Sequence, residues 1–116
     1  KNTKEYGVEI LAGLIDALIE KKSDMCVVLF GSRARGSNKR FSDFDLGVYS
    51  RGGISHRDYL ELLSRKDEKV EDLPVGVDVV NLSRGDKDFF DSIGADMRFL
   101  GGRLSDWLEL KGKVHG

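Results

Sequence analysis

The chain has 116 residues, 40% apolar and 34% charged, with a formal net charge of -1 and a single cysteine, Cys26. This length suits one domain over residues 1–116, with a core that needs no disulfide. The near-neutral balance gives no basic field to recruit nucleic acid as the main partner, no run reaches the ~18 apolar residues of a membrane span, and one cysteine excludes an internal disulfide or a cysteine-based zinc site.

Residues 3–22 show helical spacing. Val8, Leu11, Ile15, Leu18 and Ile19 recur three and four apart, Thr3 suits an N-cap, and Lys21 and Lys22 suit a C-terminal turn. The start of the chain has no signal-peptide pattern, so a cytoplasmic location is expected. Met25–Phe30 is a short apolar run and reads as a strand covered on both faces, with Cys26 as a buried apolar side chain. Gly31 ends it, Ser32–Arg35 can form one helical turn, and Gly36, Ser37 and Asn38 close that turn. Phe41–Tyr49 reads as a second strand. Alternation puts Phe44, Leu46 and Val48 on one face and Asp43, Asp45 and Gly47 on the other.

After the Arg51-Gly52-Gly53 loop, residues 55–71 return to helical spacing, with Ser55 and Asp58 set like a capping box. Pro74 precedes a third strand over residues 75–82, with Val75, Val77 and Val79 facing one way and Gly76, Asp78 and Val80 the other. Helices are expected over residues 86–100, where Phe89, Phe90, Ile93, Met97 and Leu100 make an apolar stripe, and over residues 104–110. Phe89, Phe90 and Trp107 read as core, with partner docking as their functional alternative. His56 and His115 read as surface residues, and Lys39 and Arg40 as loop cations. This order of elements indicates an α/β (α+β) domain with a small sheet.

The chemistry concentrates in Gly31–Val48, GSRARGSNKRFSDFDLGV. Asp43 and Asp45, two apart on one strand, would leave the same face roughly 6.5 Å apart. Adjacent acids repel, and a divalent cation such as Mg²⁺ removes the conflict. Asp78 on a neighbouring strand would allow a pair of ions about 3.5–4 Å apart. Gly47 and Gly76 would keep that face open for a ligand. At the turn, Gly31 lets the backbone approach a phosphate, the Ser32 hydroxyl can donate to it, and Arg33 or Arg35 can pair with its oxygens. Alone, Asp-x-Asp is usually a solvated strand edge, Gly-Ser a turn, and two arginines a charged surface. Together they have the parts that phosphoryl-type transfer needs, which are positioning and charge neutralisation.

GSRARGSNKRFSDFDLGV resembles the signature of the DNA polymerase β-like nucleotidyltransferase superfamily: Gly-Ser, a spacer of about ten, then Asp-x-Asp after a strand. LFGSRARG and SDFDLGV are most similar to its minimal nucleotidyltransferases (MNT). The resemblance implies a small mixed β-sheet flanked by helices, and transfer of a nucleoside monophosphate from an NTP, ATP first among them. It implies that Gly31 and Ser32 hold the triphosphate. Asp43 and Asp45 would bind Mg²⁺, and Asp78 would be the third carboxylate, assisting the metal or deprotonating the acceptor. Many minimal nucleotidyltransferases pair with a HEPN protein as antitoxin and toxin, which implies AMP transfer to a tyrosine of a partner protein. The alternatives are a binding module that neutralises its partner by occlusion, or a small-molecule transferase of the aminoglycoside type. Homo-oligomerisation stays open.

Overall fold

The structure, a computed structural model, describes residues 7–36, 43–93 and 96–115. Thr3, Ser37, Asn38, Lys39, Arg40 and the first residues of the expected second strand lie outside the described residues. A 3₁₀ turn over Val8–Leu11 leads into α1, Ala12–Lys21, which turns Leu14, Ile15 and Leu18 inward. Strand β1 (Cys26–Phe30) follows, then the single turn α2 (Ser32–Arg35), β2 (Phe44–Tyr49) and α3 (His56–Val70). Next come β3 (Val77–Asn81), a 3₁₀ turn at Leu82–Arg84, α4 (Lys87–Ile93), β4 (Arg98–Gly102) and α5 (Leu104–His115).

Capping sets the start of α3. Ser55 holds an extended backbone, and its Oγ accepts the Asp58 N–H at 3.0 Å, satisfying one of the donors that a helix start leaves over. Residues 86–100 do not form one helix. Helix α4 ends at Ile93, and the chain re-emerges as β4, antiparallel to β1. The apolar stripe mimics a helix, but the free edge of β1 offers hydrogen bonds to residues 98–102, and Gly101 and Gly102 at the end of that strand disfavour continuing a helix. Helix α5 in turn runs to His115, past the expected end at residue 110.

Among the described residues the strands form one sheet in the order β3-β2-β1-β4. Strand β1 is antiparallel to both β2 and β4, whereas β2 and β3 run parallel, joined by a crossover through α3. Alternation distributes side chains to two cores. Val27, Leu29, Phe44, Leu46, Val48, Val77 and Val79 pack with Leu14, Leu18 and Leu62 of α1 and α3. Cys26, Val28 and Tyr49 pack on the other face with Leu82, Phe90, Met97 and Leu110. Full burial is worth roughly 1.5–3 kcal/mol for each large apolar side chain, so this two-sided cover holds the sheet. Burial also pushes the Cys26 thiol up to about 12, which leaves it a packing residue.

A polar clamp fixes α5 to the loop after β2. Asp106 is fully buried. It accepts the Arg51 backbone N–H at 2.8 Å and the Arg103 guanidinium at 2.7 and 3.1 Å. One turn on, Glu109 accepts the Tyr49 hydroxyl at 2.6 Å and pairs with Arg51 at 3.2 Å. Asp106→Ala leaves the Arg51 N–H without its acceptor. It is expected to cost about 1–3 kcal/mol, the usual penalty for orphaning such a group. Urea denaturation reads this directly, and an unchanged midpoint would show that the clamp holds nothing.

Candidate functional site

The site forms where β1 ends and β2 and β3 begin. Gly31 takes φ 78° and ψ -160°, a conformation open in practice to glycine alone, and this turns the chain sharply into α2. Its carbonyl accepts the Ala34 and Arg35 N–H groups at 3.1 and 3.2 Å. Gly36, left-handed at φ 78°, closes the turn. Ser32 is half-buried and Arg35 exposed. Arg33 goes inward: it is buried, with its guanidinium 3.9 Å above the Phe44 ring.

The register of the sheet brings the acids together. Asp45 lies opposite Phe30 of β1 on one side and opposite Asp78 of β3 on the other. Adjacent strands are ~4.8 Å apart, so the Asp45 and Asp78 backbones are direct neighbours. Asp43 comes one residue before β2 rather than within it. The Phe44 N–H bonds to the Gly76 carbonyl at 3.0 Å, which places Asp43 at the entry to β3. A Cβ on Gly76 would come 2.7 Å from Asp43 Oδ1, and one on Gly31 would overlap Asp45 Oδ2. Both glycines therefore make room for carboxylates. Gly47 does not keep the face open for a ligand as expected, because a Cβ there would run into the buried side chain of Leu82.

Electrostatics couples the same groups. The Asp45 carboxyl is pushed above the usual carboxylate range, first by burial and then by the charges of Asp78 and Asp43, while Arg35 pulls it back. As they stand, the described residues include no group of three or more His, Cys, Asp or Glu side chains arranged to hold a metal ion. The donor chemistry nevertheless fits Mg²⁺. That ion needs only one or two carboxylates and completes its shell with water and phosphate oxygens, and a cation relieves the strain on Asp45.

A family model described as Polymerase beta, Nucleotidyltransferase matches residues 13–103, a span that includes the turn and all three acids. The chain belongs to this nucleotidyltransferase family. The fold agrees with solved structures. A crystal structure of a toxin–antitoxin with AMP-PNP superposes with a TM-score of 0.64 at 21% identity, over 89% of this chain and 82% of the other. The tri-AMPylated HEPN toxin of Shewanella oneidensis in complex with its MNT antitoxin gives a TM-score of 0.64 at 18% identity, over 92% and 82%. A mutant MntA–HpeT toxin–antitoxin gives 0.66 at 19%, over 90% and 82%. At these identities the likeness is one of fold. No curated protein sequence matches the chain.

Sequence reasoning did not reach two parts of this nucleotidyltransferase site. The Phe44 ring, a platform for Arg33, was read only as one of the residues on the apolar face of its strand. The contact of Gly31 with Asp45 joins two halves of the motif that the sequence shows merely as neighbours.

Proposed function

We propose that this nucleotidyltransferase uses Mg²⁺ to move a nucleoside monophosphate, AMP first, from an NTP to a tyrosine hydroxyl of a HEPN-type partner protein, and so acts as its antitoxin. The observation that carries the proposal is the in-register pair Asp45–Asp78, with Asp43 beside it and Gly31 against Asp45. Gly31 and Ser32 hold the triphosphate, with Arg35 next to them. Arg33, stacked on Phe44, serves phosphate binding by fixing the turn. Asp43 and Asp45 hold the metal, with Asp78 as the third carboxylate. When bound, Mg²⁺ supplies neutralisation of the charge on the phosphates.

The partner part of the proposal is supported by the neighbouring structures, which are of toxin–antitoxin pairs, one of them a HEPN toxin with its MNT antitoxin. Exposed apolar side chains support it as well: Leu104 and Leu108 one turn apart on α5, and Phe99, whose ring lies 5.8 Å from that of Trp107. These same side chains favour the second reading, neutralisation by occlusion alone. A cytoplasmic location accompanies either reading.

The test supplies α-labelled ATP, Mg²⁺ and a HEPN-type partner protein. Wild type is expected to label the partner, and the Asp43→Ala/Asp45→Ala double variant is not. Undiminished labelling by the double variant would sink the site assignment. No labelling by wild type, with full neutralisation by both proteins, would leave occlusion as the function.

A further inference from the structure

A cavity of about 260 Å³ lies between β3 and α4, lined by Val80, Asn81, Arg84, Gly85, Asp86 and Phe89. The site described above does not use it. Val80 follows Asp78 by two residues on the same face of β3, which places the cavity ~6.5 Å along the strand from that carboxylate. We propose that this cavity is the acceptor subsite of the transfer, the place where the partner's tyrosine ring docks. The inference rests on the function proposed above.

Attacking and leaving oxygens must lie roughly in line through the phosphorus that is transferred. The triphosphate tail runs toward Gly31 and Ser32, at the end of β1. The attacking oxygen therefore comes from the opposite side. In the order β3-β2-β1-β4 that side is β3, which is where the cavity opens. Its size points to a side chain: it is smaller than the ~300–1,000 Å³ of sites that enclose a whole ligand.

The lining selects the kind of side chain. Val80 and Phe89 give apolar walls, and Arg84, exposed and without an ion pair among the described residues, can lie over an aromatic face. A serine or threonine hydroxyl sits close to its own backbone and would need the partner's main chain inside the cavity. A tyrosine hydroxyl stands at the far end of its ring and reaches beyond the walls toward Asp78. Gly85 is part of the construction, since a Cβ there would come 2.5 Å from Phe89 Cδ2 and displace that ring. Asp86 fixes the ring's backbone, accepting the Phe89 N–H at 2.9 Å.

The tyrosine oxygen forms a bond to the α-phosphorus of the NTP, and the bond from that phosphorus to the bridging oxygen breaks. Pyrophosphate leaves with the electron pair, and the hydroxyl proton passes to the Asp78 carboxylate and then to water.

The experiment measures labelling of the partner at varied partner and varied ATP, with wild type, Arg84→Ala, Arg84→Lys and Phe89→Leu. Arg84→Ala is expected to raise KM for the partner about tenfold. KM for ATP and the rise in melting temperature with Mg-ATP should stay at wild-type values, and Arg84→Lys should recover most of the loss. Arg84 is on the surface, so its variants remain informative if Phe89→Leu unfolds. An unchanged KM for the partner in both Arg84→Ala and Phe89→Leu overturns the acceptor subsite and leaves the proposed function intact. A change in KM for ATP instead also overturns it and makes the cavity a nucleotide subsite. Absence of labelling by wild type overturns both proposals.

Discussion

Asp45→Asn is expected to raise the melting temperature of the metal-free protein while cutting nucleotidyl transfer on the order of 10³-fold. The two effects have one cause. Burial, followed by the charges of Asp78 and Asp43, holds the Asp45 carboxyl above its ordinary value, with Arg35 opposing. The folded protein therefore binds this proton more tightly than the unfolded chain does. Stability falls as pH rises from the unfolded value through the folded one, and at neutral pH the ionised Asp45 is a net cost. Asparagine keeps the shape and removes the charge. A site that destabilises its own fold in this way is a common trade between stability and activity. Mg²⁺ should do for wild type what asparagine does for the variant, raising the wild-type melting temperature and narrowing the gap. Calorimetry at pH 7 with and without Mg²⁺ decides the matter. An asparagine variant that melts below wild type, together with no response of wild type to Mg²⁺, would contradict the account of the acids.

Gly31→Ala is the second large effect, and Gly36→Ala is its control. Both glycines have φ 78°, so either alanine strains the backbone. The difference lies in their surroundings. Among the described residues, a Cβ at Gly36 meets nothing within 4 Å, whereas one at Gly31 overlaps the Asp45 carboxylate. Gly31→Ala should cost about 1–3 kcal/mol in stability through its backbone conformation. It should also lower transfer by on the order of 10², the penalty for misplacing a reacting group by about 1 Å. Gly36→Ala should show a similar stability cost and keep most of its activity. Urea titration and the labelling assay separate the two terms. Equal activity in both variants would mean that Gly31 serves only the turn and not the carboxylate.

Much of this was legible in the chain because local rules and global packing agree there. Alternation in FDLGVY and VDVVN put Phe44, Leu46, Val48, Val77 and Val79 on one face and Asp45, Gly47, Asp78 and Val80 on the other, and both strands obey it. The cap at Ser55 was legible because it is built from residues three apart. Strand β4 was not. Met97 and Leu100 continue the helical spacing of Phe89, Phe90 and Ile93, and the partner that draws residues 98–102 into the sheet is β1, far away in sequence. Nor could spacing reveal that Asp45 faces Asp78, because that depends on the parallel register of β2 with β3, set by the packing of the valines beneath. Gly47 was misjudged for the same reason: the side chain that takes up its space, Leu82, arrives only through the fold.

The strand order gives the molecule two margins with different constraints. The acids stand on β2 and β3 and at the entry to β2, while the exposed Phe99 lies on β4 beyond β1 and the exposed Leu104 and Leu108 lie on α5, which is clamped at the far end of β2. Substitutions at well-separated positions act almost independently. Descent with modification can therefore redraw the β4–α5 margin to suit a new companion protein without disturbing the carboxylates. The reverse freedom is absent, because Gly31, Asp43, Asp45 and Gly76 crowd one another within a single corner of the sheet.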